Sequence, residues 1–306
     1  MTRRILLRFA FALPALWLIV TMVFLLAHIV PGDPVQQMLG EGARGEDVQQ
    51  LRHALSLDLP VGAQYARYLT KVLQGDLGES IRFQQPVARV IFAHYPATLE
   101  LAIIALLVCA AIGIPAGVLA ASRRGKAADH AVGVVTLLGL AVPNFALGPL
   151  LILIFSVSFG WLPVSGRGGV SHLILPAVTL GAALAAILTR MVRTSVLEEF
   201  SRDYIRTARA KGLSESTVLF RHALRNALIP ILTILGLQFG TLLAGTIVTE
   251  TIFSWPGIGR LAVQAITSRD YPLLQGCILV IAISYVLVNL LTDSVYALVD
   301  PRVRLE

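Results

Sequence analysis

The chain has 306 residues, of which 56% are hydrophobic and only 14% are charged, and its formal net charge is +7. Soluble domains carry about a quarter of charged residues, so this composition excludes an ordinary soluble protein and favours one whose surface meets lipid. The excess positive charge does not require nucleic acid as a partner, because membrane proteins accumulate Lys and Arg on their inner side.

Six apolar stretches approach or exceed the length of about 20 residues that a helix needs to cross a bilayer. They lie at 9–30, 98–121, 131–159, 173–188, 230–253 and 274–299. The first is too long for the apolar part of a signal peptide and no small-x-small cleavage site follows it, so we predict a retained helix. The fourth is the shortest and is rich in Ala and Gly, which is typical of a helix packed closely among its neighbours. Pro14 and Pro143 predict kinks within spans.

Residues 31–95, between the first two spans, are predicted to be ordered. Pro60 is expected in the first turn of a helix that runs to Leu73, with Gly75 after it as a stop. One face of that helix collects Tyr65, Tyr68, Leu69 and Val72, so we expect it to pack on another element. A 65-residue connection is long and suggests an extracytoplasmic docking surface.

The distribution of Lys and Arg predicts the orientation of the chain. With the N-terminus inside, the inner segments carry three before the first span, three after the second, eight at 190–228 and two at the C-terminus. The short outer loops carry three, namely Arg167, Arg260 and Arg269. This asymmetry of 16 against 3 places both termini and residues 190–228 in the cytoplasm.

Within the inner segment, residues 196–211 have the period of an amphipathic helix. One face carries Val196, Leu197, Phe200, Tyr204 and Ala208, and the opposite face carries Glu198, Glu199, Arg202, Arg206 and Arg209. Glu198 and Arg202 have the spacing and order of a favourable ion pair. We therefore expect one helix that continues from the fourth span.

A second, shorter helix is predicted after Gly212, which ends the first one. Ser214 is placed to cap it, and Glu215 lies where the helix dipole favours an acid. Its apolar stripe is expected to comprise Leu219, Phe220, Ala223 and Leu224, opposite Val218, Arg221, His222 and Arg225, and Pro230 to end it. The segment could be a solvated loop that only sets topology. Two apolar faces, however, need the inner end of the bundle or a cytoplasmic partner to cover them.

The motifs of common enzymes are missing from this sequence. Gly125-Lys126 is followed by Ala127, so there is no phosphate-binding GxxxxGK[ST] loop. The six histidines, at 28, 53, 94, 130, 172 and 222, lack metal-ligand spacing, and Cys109 and Cys277 are read as small apolar packing residues. An intramembrane protease is disfavoured, because Ser165-Gly166 has no paired base within a span.

Polar side chains in or near the spans are candidates for a gate or a translocation path. Intramembrane acids are costly and usually face a partner or a water-filled path, whereas amides often join helices. The candidates are Asn144, Glu250 and Asn289. For Glu250 a role in a buried structural pair is an equal alternative. Two further acids lie in or near the spans: Glu100 begins the second span, and Asp293 is expected at a helix interface.

Ordered motifs along nearly the whole chain carry a resemblance to a known family. Around the inner loop they are TARAKG (207–212), HALRN (222–226) and IP (229–230). The others are VPGDP (30–34), QGDLGES (74–80), QPV (85–87), YPATLELA (95–102), VPNF (142–145), GWLP (160–163), HLILPAVTLGAA (172–183), FSWPGIGRL (253–261), RDYPLLQG (269–276) and LVDPRVR (298–304). Together they resemble the permease subunits of the peptide/nickel group of ABC importers.

The resemblance implies an all-α membrane protein with six transmembrane helices and the type I ABC importer transmembrane-domain fold. It divides the chain into a first helix (1–30), a helical extracytoplasmic segment (31–95) and a core permease domain (96–306). It also implies a loop at 190–228 whose coupling helix docks on a cytoplasmic ATPase. The coupling residues it implies are Ala208, Ala210, Lys211, Gly212, Leu213, Ser214, Glu215, His222, Arg225 and Asn226.

The same resemblance implies partners and a substrate class. The partners are a second homologous permease, two ABC ATPases that bind ATP and Mg, and a periplasmic or extracellular solute-binding protein, at a bacterial inner membrane. This chain would bind no cofactor or metal of its own and catalyse no reaction. Dipeptides or oligopeptides are expected as substrates, with glutathione or a nickel complex as alternatives. An ion-coupled secondary transporter is a further alternative, although the sequence shows no convincing inverted repeat.

One departure from the wider ABC importer pattern limits what can be carried over. The general motif has an acid six residues before the glycine, and this chain has Arg206 there, as the peptide/nickel branch does. We therefore do not carry over an acid-based contact. Gly212 and the helix that begins at Ser214 match the family pattern, so their roles are carried over.

Overall fold

A computed structural model of the chain describes residues 2–29, 45–54 and 58–299. The motif at 30–34, the chain end at 300–306 and the side chains of His28 and Asp293 lie outside the described residues, so the expectations for them stay predictions. Within the described ranges the regular secondary structure is helical, and no β-strand is present.

The helices follow one another with short connections. In chain order they are α1 (Thr2–Ile29), α2 (Gly45–Ala54), α3 (Val61–Leu73), α4 (Val87–Ser122), α5 (Ala127–Ala141), α6 (Asn144–Leu151), α7 (Val170–Phe200), α8 (Asp203–Ala210), α9 (Glu215–Thr217), α10 (Leu224–Gly245), α11 (Ile247–Ile252), α12 (Ile258–Thr267) and α13 (Tyr271–Val299). Two stretches take the wider π-helical turn: Ile152–Ser158 prolongs α6, and Val218–Ala223 joins α9 to α10.

Four helical runs are long and apolar enough to cross a membrane, at Val87–Ser122, Val170–Phe200, Glu215–Gly245 and Tyr271–Thr292. The pair α5 and α6 makes a fifth if it is counted as one broken span, because the two helices are bent by 99° at Val142 and Pro143. The kink predicted at Pro143 is therefore confirmed as a break. In α1 the apolar stretch Ala12–Leu25 is shorter than a full span, so the count of six stays a prediction.

The chain forms two compact units. The first unit comprises Leu99–Trp255 and the segment that begins at Leu287, and the second joins Thr2–Thr98 to Pro256–Val286. Helices α4 and α13 each run from one unit into the other. Helix α4 alone has 36 residues, or about 54 Å at 1.5 Å per residue, and exceeds the thickness of a bilayer core.

In the first unit α7 is the central helix and packs on α5, α6 and α10. Its small residues allow close contact with α4. A Cβ added at Gly181 would lie 2.7 Å from the carbonyl oxygen of Ala105, and one at Gly117 of α4 would lie 2.6 Å from Cβ of Val192. The expectation that the fourth span is buried among its neighbours is confirmed, and Cys109 is a buried free thiol in the same core.

In the second unit α3 packs on α1, as the stripe of Tyr65, Tyr68, Leu69 and Val72 predicted. The ring of Phe24 lies 5.2 Å from that of Tyr65 and 5.5 Å from that of Tyr68, and the Tyr65 hydroxyl is hydrogen-bonded to Thr21 at 2.6 Å. Burial raises the pKa of Tyr68 to about 12. The helix bounds follow the prediction, with Pro60 immediately before Val61 and Gly75 at a positive φ of 77° just after the helix.

Candidate functional site

The segment after α7 forms a bent arm, here called the Gly212 elbow, which comprises residues 196–226. Helix α7 ends at Phe200, and an extended Arg202 precedes α8. The expectation of one helix over 196–211 was therefore wrong. The Ser201 hydroxyl donates to the carbonyl oxygen of Glu198 at 2.7 Å and competes with a continuing helix.

The break at residues 201 and 202 changes which side chains are buried. Ile205 is fully buried in place of the predicted Tyr204, whose ring lies at the surface. Glu198 and Arg202 no longer share one helix, so the predicted ion pair between them is not formed in the described part of the chain. Arg206 instead pairs loosely with Asp203 at 3.4 Å.

Gly212 turns the chain at the end of α8, as predicted. Its φ is +77°, and its N–H donates to the carbonyl oxygen of Arg209 at 2.9 Å. The N–H of Leu213 donates to Ala208 at 3.4 Å, which completes a Schellman motif. A side chain at position 212 would meet nothing within 4 Å, so the glycine is required by the backbone conformation alone.

The helix after the turn begins at the predicted cap. The Ser214 hydroxyl accepts a hydrogen bond from the N–H of Thr217 at 3.4 Å. Val218 and Ala223 are fully buried, whereas Phe220 is 60% exposed, so the predicted stripe was wrong at Val218 and Phe220. The reason is the π-helical stretch Val218–Ala223, in which each turn takes in an extra residue and shifts the buried face.

Pro230 does not end this helix, contrary to the prediction. It lies inside α10, and the helical run continues from Glu215 to Gly245. A proline removes one backbone hydrogen bond, which frees the carbonyl four residues before it. That residue, Asn226, is exposed.

The two arms of the elbow are joined by an ion pair across the turn. Nε and Nη2 of Arg209 donate to the two carboxylate oxygens of Glu215 at 2.7 and 3.0 Å. The guanidinium also lies over the ring of Phe200 at 5.4 Å. The hydrogen bond to the Glu215 carboxylate raises the pKa of Arg209, which stays charged at any physiological pH.

Tyr204 links three parts of the elbow and was missed as a functional candidate. Its hydroxyl donates to a carboxylate oxygen of Glu199 in α7 and accepts from Nδ2 of Asn226 in α10 at 2.9 Å. Burial and the hydrogen bond to Glu199 raise the pKa of Tyr204, so the hydroxyl keeps its proton and donates. A tyrosine among charged residues gives no sequence signal of this role.

The elbow buries an apolar cluster within the chain itself. Ile205, Ala208, Val218 and Ala223 form one cluster with Phe200 against it. Of the residues predicted to couple to an ATPase, Ala208 is therefore in the core and His222 is half-buried. The others are exposed: Ala210, Lys211, Gly212, Leu213, Ser214, Glu215, Arg225 and Asn226. An open cavity of about 500 Å³ beside them is lined by Arg124, Leu197 and Phe220, among others.

A second turn at the same end of the first unit is fixed by Asp129. Nε and Nη2 of Arg193 donate to its two oxygens at 2.7 and 2.8 Å, and the N–H of Gly125 donates to one of them at 2.9 Å. Gly125 has a φ of +73° and, like Gly212, nothing within 4 Å of an added Cβ. This ion pair ties the connection between α4 and α5 to α7.

The candidate gate residues lie in the first unit on different helices. Glu250 is fully buried and lies on α11. The predicted span 230–253 is divided there, because α10 ends at Gly245. Oε1 of Glu250 accepts a hydrogen bond from the Thr246 hydroxyl at 3.0 Å. Asn144 begins α6, which packs on α11. Asn289 lies in α13, and among the described residues the buried Oδ1 atoms of both asparagines have no hydrogen-bond partner.

Another polar cluster, the Asp270 knot, comprises residues 74–91 and 256–277 of the second unit. Asp270 is fully buried and accepts hydrogen bonds from the Ser80 hydroxyl at 2.5 Å, the N–H of Arg82 at 3.0 Å and the N–H of Leu273 at 3.2 Å. Gly276 contacts Val87 directly. Three of the sequence motifs, at 74–80, 85–87 and 269–276, therefore meet in one structure.

The fold of the chain matches solved structures of one class of transporter. The fold matches a subunit of a solved structure titled inward facing conformations of the MetNI methionine ABC transporter, with a TM-score of 0.59 and 19% identity over 69% of this chain and 96% of that one. A second match, to a solved amino acid ABC transporter with histidines, has a TM-score of 0.53 and 18% identity over 70% and 94% of the two chains. The chain has the transmembrane-domain fold of ABC importers.

Family models and relatives agree with the fold. Residues 113–305 match the model described as binding-protein-dependent transport system inner membrane component, and residues 1–102 match that of its N-terminal region. The chain belongs to this family and is a multi-pass inner-membrane permease. Membership implies ATPase and solute-binding protein partners.

Two relatives cover nearly the whole chain. The chain is 44% identical to the di/tripeptide transport system permease protein DppB of Pseudomonas aeruginosa (strain UCBPP-PA14), over 97% of both chains. It is 43% identical to the glutathione transport system permease protein GsiC of Escherichia coli (strain K12), over 95% of both.

Within the described residues no group of His, Cys, Asp and Glu could hold a metal ion.

Proposed function

We propose that this chain is a permease subunit of an ATP-driven importer of short peptides, which moves its substrate by alternating access. It pairs with a second homologous permease, and a solute-binding protein delivers the peptide. ATP and Mg bind to two cytoplasmic ATPase subunits and not to this chain. Both termini and the Gly212 elbow lie in the cytoplasm, in accord with the excess of Lys and Arg there.

The Gly212 elbow carries the proposal. Its apolar core is closed within the chain, while Lys211, Leu213 and Glu215 face outward at the turn. The helix that starts at Ser214 runs without interruption into the span that ends at Gly245. A partner that binds the turn can therefore displace a transmembrane helix directly, which is what coupling to an ATPase requires.

Two conformations that nucleotide favours differently provide the energetic basis of the transport cycle. ATP binding draws the ATPases together, and the elbow passes that movement to α10. The polar groups of Asn144, Glu250 and Asn289 lie along the apolar helices as candidates for the gate or the path.

Di- and tripeptides are the proposed substrates, because the relative with 44% identity is a di/tripeptide permease. Glutathione is the second candidate, since the glutathione permease is nearly as similar and glutathione is itself a small peptide-like acid. The solute-binding protein chooses between them. Titrating that partner with dialanine and with glutathione separates the two substrates.

The test is reconstitution of the complete importer in proteoliposomes, with ATP inside and binding protein and labelled dialanine outside. We expect uptake that depends on ATP and on all subunits. Uptake by the permease pair without any ATPase would contradict the importer function. The elbow is tested by Gly212→Pro, which removes the left-handed backbone conformation and the hydrogen bond to Arg209.

Gly125→Pro is the matched control, because it changes a second left-handed glycine whose N–H also donates a hydrogen bond. We expect Gly212→Pro to abolish peptide-stimulated ATP hydrolysis in a complex that still assembles, and Gly125→Pro to leave most of it. Equal stimulation in wild type and Gly212→Pro would exclude the coupling role of the elbow.

A further inference from the structure

One ion pair of the first unit has no part in the function proposed so far. It joins Glu100, in α4, to Arg167, in the connection between the π-helical stretch and α7. Glu100 lies 22 residues before Ser122, or about 33 Å along the helix, so the pair is in the half of α4 that is remote from the elbow. In the proposed orientation this end faces the outside, where a binding protein releases its ligand.

The backbone next to Arg167 is anchored, and its guanidinium also contacts Trp255. The preceding residue, Gly166, donates its N–H to the carbonyl oxygen of Phe253 at 2.8 Å. The guanidinium lies over the ring of Trp255 at 5.8 Å, and that ring is fully buried. The positive charge therefore has a contact other than the ion pair.

The pairing between the two side chains leaves hydrogen-bonding capacity unused. Nε and Nη2 of Arg167 both donate to one oxygen, Oε2 of Glu100, at 2.9 and 2.6 Å. Among the described residues nothing hydrogen-bonds to Oε1 of Glu100. Both side chains are accessible, at 41% exposure for Arg167 and 36% for Glu100. An exposed pair of this kind adds little to stability and is readily opened by competing charges.

We propose that Glu100 and Arg167 form a binding site for the charged ends of an incoming peptide, a proposal that rests on the proposed function. A peptide with free ends carries an ammonium and a carboxylate at neutral pH. The carboxylate binds the guanidinium of Arg167, which suits a two-oxygen partner, and the ammonium binds the carboxylate of Glu100. With no ligand bound, the two side chains neutralise each other.

The test separates this site from a simple brace by exchanging the two charges. The double variant Glu100→Arg, Arg167→Glu keeps an ion pair but reverses its direction along the site. Dialanine uptake and its KM are measured in proteoliposomes with saturating binding protein, next to wild type and the single variants Glu100→Gln and Arg167→Gln. Melting temperature and the affinity for ligand-free binding protein are measured on the same samples.

We expect each single variant to raise KM about tenfold, the usual effect of losing one charge-assisted hydrogen bond. All three variants should keep a melting temperature close to that of wild type, because the pair is exposed, and the exchanged pair should not restore KM. If the exchanged pair restores the wild-type KM, the pair is a brace and the proposal is wrong. The proposal also fails if ligand-free binding protein loses affinity in parallel with uptake, because the pair would then contact that protein.

Glu100→Gln keeps the test valid if the exchanged pair does not fold, since glutamine retains an acceptor for Arg167. A KM within twofold of wild type in Glu100→Gln would overturn the proposal. Failure of the proposed function has a different signature: the wild-type importer would then take up no peptide at all.

Discussion

The Gly212 elbow and the Asp270 knot both join segments of helix, but they do so by different means. The polar contacts of the elbow lie at the surface, where an exposed ion pair and the hydroxyl of Tyr204 supplement its buried apolar cluster. The knot is joined in the interior, by a carboxylate with no exposed surface and a cluster of buried aliphatic side chains. Exposed polar contacts are exchanged with water at little cost, whereas buried ones are not. The polar contacts of the elbow can therefore be exchanged at less cost than those of the knot.

The largest effect is expected for Asp270→Ala. The change leaves the Ser80 hydroxyl and the N–H groups of Arg82 and Leu273 without their buried acceptor, at a cost of about 3 kcal/mol. Thermal unfolding of the purified chain in detergent measures it. Asp203→Ala is the control, because that side chain is 95% exposed, and equal shifts in the two variants would show that the knot is not specially stabilised.

Gly276→Ala tests how tightly the knot is packed. The added Cβ would lie 2.5 Å from Cγ1 of Val87 and 2.9 Å from Cδ1 of Ile91, so we expect a loss of about 2 kcal/mol from overpacking. Gly133→Ala in α5 is the matched helical control, since nothing lies within 4 Å there. If both variants unfold at the same temperature, the packing around Gly276 is looser than these distances indicate.

A smaller effect on stability is expected at the elbow for Tyr204→Phe. The loss of one partly exposed hydroxyl costs about 1 kcal/mol, but it disconnects Glu199 from Asn226. Peptide-stimulated ATP hydrolysis should fall strongly, whereas the unfolding temperature should fall only slightly. Tyr285→Phe removes a hydroxyl at nearly the same exposure and should change neither, and a Tyr204→Phe complex with full stimulation would refute the link.

The smallest effect is expected for Glu215→Gln. The pair with Arg209 is exposed, so its contribution is about 0–1 kcal/mol and should vanish when salt screens it. Unfolding of wild type and variant is compared at low and at about 1 M salt. A difference that persists at high salt would mean that the pair is shielded and that the elbow resembles the knot.

The features that were predicted correctly from the sequence are those that neighbouring residues determine. Gly212 and Ser214 were predicted because a left-handed turn and a helix cap depend on a few neighbouring residues, and the same is true of the helix between Pro60 and Gly75. The ordered motifs predicted the fold class in another way, through their resemblance to a known family.

The parts that sequence did not predict depend on contacts or on a change of period. The π-helical turn at Val218–Ala223 moves Phe220 out of the stripe that a regular helix would give it. The partner of Asp270 is Ser80, which is 190 residues away in the chain, so no spacing rule connects them. A local rule also places a helix end at Pro230, whereas the helical run continues through it to Gly245.

The uninterrupted helical run from Glu215 to Gly245 has a mechanical consequence. It comprises 31 residues, roughly 45 Å of axis, and it includes the π-helical stretch Val218–Ala223 and Pro230. A displacement of its cytoplasmic end is therefore passed along one continuous helix, with these two irregularities near that end as the places where it can bend. The run stops at Gly245, and α11 begins after Thr246. Work done outside the membrane would thus be delivered four residues from the buried carboxylate of Glu250.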